Sequence, residues 1–253
     1  MVRVLALLRG VPRALRVARE RSRRQKVIDA RKTDVARWRN RASYNPSWAS
    51  RLDSAMPLLA GAAWVADLGC GMQALRARLG SNATYLPMDL KPWTGDTLIC
   101  DLNARDLPDH YIALCDVCVV MGVLEYLYDP DWLLARLAEH AETIVLSYTA
   151  VDMVIADRAG NGWVNAFTSD EVVRMVERAG YGVVGLGRHD DQLLVKASRS
   201  DFDAVRRAHR DARRLAFRSM IGPAAVPAVD APAVVPVAPP AVAVDATLGA
   251  GPV

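Results

Sequence analysis

Three aspartates close three apolar runs, and a glycine pair follows the first. The segment Val65-Ala-Asp67-Leu-Gly69-Cys-Gly71-Met-Gln73-Ala74 reads as a strand ending in an acid, then a tight turn opening a helix. Glycine in such a turn accepts positive φ and lets the backbone approach a ligand. Asp89 ends a second run, Tyr85-Leu-Pro-Met-Asp89-Leu, and Asp101 ends a third, Ile99-Cys-Asp101-Leu102. In an open parallel sheet, ligands bind beyond the carboxyl ends of the strands. A carboxylate at Asp89 can accept both hydroxyls of a ribose there. Three consecutive strands ending in Asp on one edge predict a nucleoside-sized polar site.

Two cofactors compete for this arrangement. Gly69-x-Gly71-x-x-Ala74 formally satisfies the dinucleotide fingerprint, which sets a pyrophosphate on the helix N-terminus. An acid two residues before the first glycine repels a pyrophosphate. Asp67 suits instead a ligand bearing an ammonium and a sulfonium, namely S-adenosylmethionine. Methyl transfer from a sulfonium is an in-line displacement, so the protein must align the acceptor and exclude water. A hydroxyl acceptor also needs a general base. Glu125 and Tyr126 follow the fourth run, at the edge where an acceptor would meet the methyl group. Glu125 is one candidate base, and equally an acid favoured at a helix start. His189 is the other, in a His189-Asp190-Asp191 turn that reads equally as a solvated hairpin. His110, His140 and His209 have weaker claims. Trp163 and Asn165 precede the last helix and are candidates to cover the substrate, although Trp163 also suits a core cap. No nucleophilic triad or metal-ligand cluster stands out. Cys115-Asp-Val-Cys118 matches CxxC, but in a strand its two cysteines point to opposite faces.

These residues resemble the class I S-adenosylmethionine-dependent methyltransferases over roughly Trp64 to Ala197. The resemblance rests on Asp67-Leu-Gly69-Cys-Gly71, Asp89, Asp101-Leu102 and Val119-Val-Met-Gly122-Val-Leu-Glu125-Tyr126. Gly162-Trp163-Val-Asn165-Ala-Phe167-Thr168 looks like an arrangement common in small-molecule members. It implies that Asp67, Gly69 and Gly71 surround the methionine moiety and that Asp89 takes the ribose hydroxyls. Asp101 and the Leu102 amide would meet the adenine edge. It also implies an N-terminal helix closing over the cofactor, with Tyr44 and Trp48 as contacts. One departure is Gln73, where the family usually has a third glycine; its side chain is expected to narrow the amino-acid end of the site. Two other classes stay open. A dinucleotide-dependent oxidoreductase or epimerase is disfavoured by Asp67 and by the lack of a Tyr-x-x-x-Lys pair. A non-catalytic relative that only binds the cofactor is the reading for which Gln73 is the sign.

The elements that must position these groups alternate. Strand-like runs are Trp64–Leu68, Thr84–Met88, Thr97–Cys100, Asp116–Met121 and Thr143–Ser147, with a closing pair Tyr181–Leu186 and Gln192–Ala197. Helical segments fit Gln73–Leu79, Pro130–Ala141 and Ser169–Ala179, the last with Thr168 or Ser169 as N-cap and Gly180 behind it. This predicts an α/β, Rossmann-like doubly wound sheet, mostly parallel, seven-stranded by the resemblance, with the last strand antiparallel.

The charge is partitioned along the 253 residues, which average to net +4. Residues 1–41 hold fourteen Arg and Lys against three acids, whereas 42–198 hold eleven against twenty. The expected organisation is a basic helical extension (1–48), the cofactor-binding domain (49–198), a basic helix (199–218) and a disordered Pro, Ala and Val-rich tail (219–253). Within the extension, helices are expected from near Pro12 and over Arg24–Arg41. Its Arg-rich face has three readings: a cap on the acidic domain or on an acidic partner, contact with an anionic membrane surface, or a transit peptide. An acidic core argues against nucleic acid across the active face and for a small molecule or saccharide acceptor. No apolar run approaches the ~18 residues of a membrane span. Four cysteines in this length form no disulfide framework, which predicts a reducing, cytoplasmic setting.

Overall fold

The computed structural model describes residues 13–81, 83–201 and 204–221. The apolar runs form β1 (Trp64–Leu68), β2 (Thr84–Asp89), β3 (Leu98–Ile99), β4 (Val117–Met121), β5 (Thr143–Tyr148), β6 (Gly182–His189) and β7 (Gln192–Ser198). They make one sheet in the order β3-β2-β1-β4-β5-β7-β6. β1 to β5 pair in parallel, and β7 runs antiparallel to both β5 and β6. This is the doubly wound, Rossmann-like sheet the alternation predicts. The strand order reverses between β1 and β4, and that switch point opens a crevice at their carboxyl ends.

Helices cover both faces, so β1 and β4 are buried along their whole length. Trp64, Ala66 and Leu68 of β1 face one side, where Leu133, Leu134 and Leu137 of α6 (Pro130–His140) and Met175 of α8 (Ser169–Arg178) pack. Val65 faces the other, with Leu52 of α3 (Ser50–Ala55) and Leu75 and Leu79 of α4 (Ala74–Leu79). The start of α8 carries a full capping box: Thr168 accepts from Glu171 N while the Glu171 carboxylate accepts from Thr168 N. Two shorter helices, α5 (Asp109–Ile112) and α7 (Arg158–Asn161), precede β4 and α8.

Element ends differ from expectation where tertiary contacts intervene. β3 shrinks to two residues, because Thr97 N turns back to Thr94 O (3.2 Å) instead of joining the ladder. The last hairpin is longer than expected. A register shift between Val183 and Gly185 lets β6 continue to His189, and Asp190 turns the chain at φ 46°.

The N-terminal helices are divided otherwise than the pattern suggests. One helix, α1 (Arg13–Asp29), runs through the expected junction at Arg24, since no Gly or Pro interrupts it. Arg31 at φ 49° breaks it, and Asp34 then caps the single turn α2 (Val35–Trp38) by accepting from Arg37 N at 3.1 Å. Residues 1–12, which precede the helix expected from near Pro12, lie outside the described residues. At the other end, α9 (Ala204–Ile221) carries on past 218, so Ser219 belongs to the helix rather than to the tail. Gly222-Pro223 follows its last residue. Arg210 and Arg214 reach Asp116 (3.3 and 2.7 Å), whose other oxygen accepts from Ala63 N and Trp64 N at the start of β1. The remaining tail lies outside the described residues.

Candidate cofactor and acceptor site

The carboxyl ends of β1, β2 and β4, with the N-terminal segment above them, enclose a cavity of about 920 Å³. Asp67, Asp89 and Asp101 line it, as do Gly69, Gly71 and Leu102. The glycine turn is tied to β2: Gly69 N and Cys70 N both donate to Met88 O (2.8 and 3.1 Å). Gly69 and Gly71 have φ of 70° and 50°, so a side chain at either is strained. Neither has room for one. A Cβ at Gly69 would stand 2.5 Å from Val123 Cγ2, and one at Gly71 2.6 Å from Tyr44 Cε1.

The three aspartates are held differently. Asp89 accepts from Gly71 N through Oδ2 (2.7 Å) and from Leu90 N through Oδ1 (2.6 Å), so it braces the turn while facing the cavity. Burial pushes its pKa up despite those donors. Asp67 accepts the Tyr85 hydroxyl at 2.5 Å, and burial, with Asp89 adding, raises its pKa to about 7. Asp101 accepts from Asn103 N (3.0 Å) and from Thr33 Oγ1 (2.7 Å), which joins the floor to the N-terminal segment.

At the opposite end Glu125 is buried on the one-turn helix Leu124–Tyr126. Its Oε1 accepts from Thr149 N at 2.8 Å, while Oε2, also buried, has no partner. Burial holds this carboxyl above the usual range. Tyr126 accepts the Trp163 indole N–H at 3.0 Å, and both line the cavity. Asn165 does not reach it. The Asn165 amide donates to Leu124 O and Leu127 O (2.7 and 2.9 Å) and accepts the Tyr148 hydroxyl (2.8 Å), so it locks the loops that present Glu125. His189 stands at the rim with each ring nitrogen on a serine hydroxyl, Ser50 at 3.0 Å and Ser54 at 2.9 Å.

Gln73 corrects the expectation of a narrowed cofactor end. It is buried in the left-handed conformation (φ 57°), and its amide donates to Thr94 and Thr97 hydroxyls at 2.8 and 3.0 Å. The side chain braces the β2–β3 loop and is not among those lining the cavity.

The roof joins the expected Tyr44 and Trp48 with two residues that sequence reasoning missed, Trp38 and Arg51. Trp38, Tyr44 and Trp48 pack edge to face in series (5.8 and 6.4 Å), and Trp38 stands over Tyr126 at 4.7 Å. Arg51, beside the roof, donates to Met121 O at 3.1 Å, and a Cβ at Gly122 would touch its guanidinium. Glu125 and Asp67 are the carboxyls whose charge it feels, while burial holds its pKa below the usual value. For Trp38 the available signal was an aromatic interruption of the Arg-rich segment shortly before Tyr44 and Trp48; Arg51 had none. The basic extension thus caps the acidic domain, yet Arg21–Asp157 (3.3 Å, exposed) is the salt bridge that joins them among described residues. Docking uses polar contacts instead. Tyr128 OH donates to carbonyls of residues 27, 28 and 32, and Lys91 Nζ donates to Arg39 O.

These groups fit S-adenosylmethionine: a side-chain-free cradle, a carboxylate at each of three strand ends, and an unsatisfied carboxylate oxygen beyond them. Among described residues no group of three or more His, Cys, Asp or Glu is placed to hold a metal ion, and no helix is long and apolar enough to cross a membrane.

No protein-family model matches the chain, and no curated protein does. Solved structures do. An O-methyltransferase family protein from Burkholderia thailandensis aligns with a TM-score of 0.52 at 16% identity, over 64% of this chain and 60% of that one. Human N-acetylserotonin methyltransferase, in complex with S-adenosylmethionine, aligns with a TM-score of 0.52 at 14% identity, over 64% and 55%. The alignments therefore span little more than half the length of these proteins. At such identity the likeness establishes the fold, which is that of the class I S-adenosylmethionine-dependent methyltransferases.

Proposed function

We propose that the chain is an S-adenosylmethionine-dependent methyltransferase that acts on an oxygen or nitrogen nucleophile of a small molecule or saccharide. The observation that carries this reading is a single cavity running from three strand-end aspartates and a glycine cradle to Glu125. Asp89 would receive the ribose hydroxyls, Asp101 and the Leu102 amide the adenine edge, and Asp67 the ammonium beside Gly69 and Gly71. Arg51, which forms no salt bridge with a described residue, would meet the carboxylate of the methionine moiety. The bound cofactor supplies an electrophilic methyl group. The protein's own part is alignment and dryness: Tyr44, Trp38 and Trp163 wall the acceptor end, and a near-attack geometry of about 3–3.5 Å does the rest.

Glu125 is the better candidate base for a hydroxyl acceptor. Its Oε2 has no hydrogen-bond partner among the described residues and its burial favours accepting a proton, whereas both His189 nitrogens are engaged by serines. The same Asp67 that suits an ammonium disfavours a pyrophosphate, and Gln73, the sign of a non-catalytic relative, is directed elsewhere. The setting we read is the cytoplasm, where four free and buried cysteines stay reduced.

Calorimetric titration tests the proposal. S-adenosylmethionine and S-adenosylhomocysteine should bind and NAD should not. D89A should weaken S-adenosylhomocysteine by about ten- to a hundredfold, the worth of about 1.5–3 kcal/mol for hydrogen bonds to a charged group. Tighter binding of NAD, or an unchanged affinity in D89A, would overturn it.

A further inference from the structure

The acceptor end of the cavity holds more positive charge than the protein neutralises. Three arginines of the roof, Arg23, Arg24 and Arg37, stand around two acids, Glu20 and Asp34. Arg23 takes both: it bonds Glu20 at 2.8 Å and Asp34 through two N–H groups at 2.7 and 2.8 Å. Arg24 is left with Glu20 at 3.5 Å, outside hydrogen-bond geometry. Arg37 forms no salt bridge with a described residue. Each of the two spends one N–H on a neutral acceptor of the same turn, Arg24 on Gly160 O and Arg37 on Asn161 O, and each has a buried Nε with no partner. Gly162 keeps this turn open to them, since a Cβ there would lie 2.6 Å from Arg37 Nη1.

The Arg37 guanidinium also lies over Trp38 (4.5 Å) and Tyr126 (5.4 Å), on the same cavity wall as Trp163. Aromatic faces offset part of a half-buried cation's cost but supply no carboxylate-like acceptor for its N–H groups. A guanidinium taken out of water without a carboxylate is costly, and an anionic ligand removes that cost while pairing in fork geometry. We infer that the methyl acceptor carries a carboxylate or phosphate, received by Arg37 with Arg24 behind it, against the aromatic wall of Trp38, Tyr126 and Trp163. Burial lowers the Arg37 pKa, with Tyr126 and Asp34 opposing and Arg24's like charge adding, and the guanidinium stays charged.

This inference rests on the methyltransferase reading for the word acceptor, but its test does not. The full chain is titrated with benzoate, phenyl phosphate and neutral benzamide, with and without saturating S-adenosylhomocysteine, and tryptophan fluorescence is followed. At least one anion should bind about tenfold or more tightly than benzamide, and which one it is separates carboxylate from phosphate recognition. R37Q should abolish the preference and leave benzamide and S-adenosylhomocysteine within about threefold of the wild type; R37K should keep part of it. Equal binding of benzamide, no saturable binding of either anion, or a preference that survives R24Q/R37Q refutes the anion site. Because the comparison of anion with amide uses the wild-type chain, it stands even where R37Q fails to fold. Failure of S-adenosylhomocysteine to bind the wild type would sink the methyltransferase reading alone, since the titrations without it still report the anion preference.

Discussion

Replacing Asp67 by Asn should stabilise the cofactor-free protein and weaken its hold on S-adenosylmethionine, two effects of opposite sign from one carboxyl. Asp67 is 5% exposed, and its pKa rises from 3.8 to about 7 because burial penalises the charged form, against the Tyr85 hydrogen bond. An acid whose folded pKa lies above its unfolded one binds more protons when folded. Its stabilising share is complete below about pH 4 and is lost as pH rises toward about 7. At about 1.4 kcal/mol per decade, that interval corresponds to about 4 kcal/mol. Asn keeps a carbonyl to accept the Tyr85 hydroxyl and has no charge to bury. D67N should therefore match the wild type near pH 4 and exceed it by about 2–4 kcal/mol near pH 8, with the difference growing between those values. Urea unfolding of both proteins at several pH values, without cofactor, reads this directly. A difference that does not change with pH, or a D67N protein less stable near pH 8, refutes the assignment of a buried, reluctant charge. Calorimetry near pH 8 should give at least about tenfold weaker S-adenosylmethionine binding for D67N, because the partner of the ammonium is gone.

Two further outcomes separate structural from chemical roles. Q73G should leave S-adenosylhomocysteine affinity within about threefold, because the side chain points away from the cavity; relief of left-handed strain (about 1 kcal/mol) should partly offset two lost hydrogen bonds of about 1 kcal/mol each in a thermal melt. A tenfold change in affinity would return Gln73 to the cofactor site. E125Q should lower transfer of tritiated methyl from S-adenosylmethionine to a hydroxyl acceptor by at least about a hundredfold, with cofactor binding intact. In the wild type the rate should rise with pH through a midpoint above the usual carboxylate range, and E125Q should lack that limb; a wild-type rate independent of pH would point away from Glu125 as the base.

The alternation of strands and helices and the row of acids could be read without a structure because both rest on short-range physics. Continuous apolar runs such as Trp64–Leu68 must be buried on two faces, and glycine at 69 and 71 permits a backbone that side chains strain. Thr168 and Glu171 announce the start of α8 for the same reason, a cap confined to four residues. The site's upper half obeys no such local rule. Nothing near Arg37 or Trp38 in the chain says that they meet Tyr126, eighty-odd residues on, and the Arg-rich composition hid them among solvated bases.

Sequence alone determined the strand-forming runs, the helices between them and the aspartates at the strand ends, because periodicity and turn chemistry act over a few residues. Tertiary structure decided what each polar group spends itself on. Asn165 became a strut, Gln73 a loop brace and His189 a partner of two serines, while among the described residues one Glu125 oxygen is left without a hydrogen-bond partner and Arg37 without a salt bridge. Those outcomes depend on which donors and acceptors the folded chain brings within about 3 Å, and hydrogen bonds and desolvation are decided only at that distance.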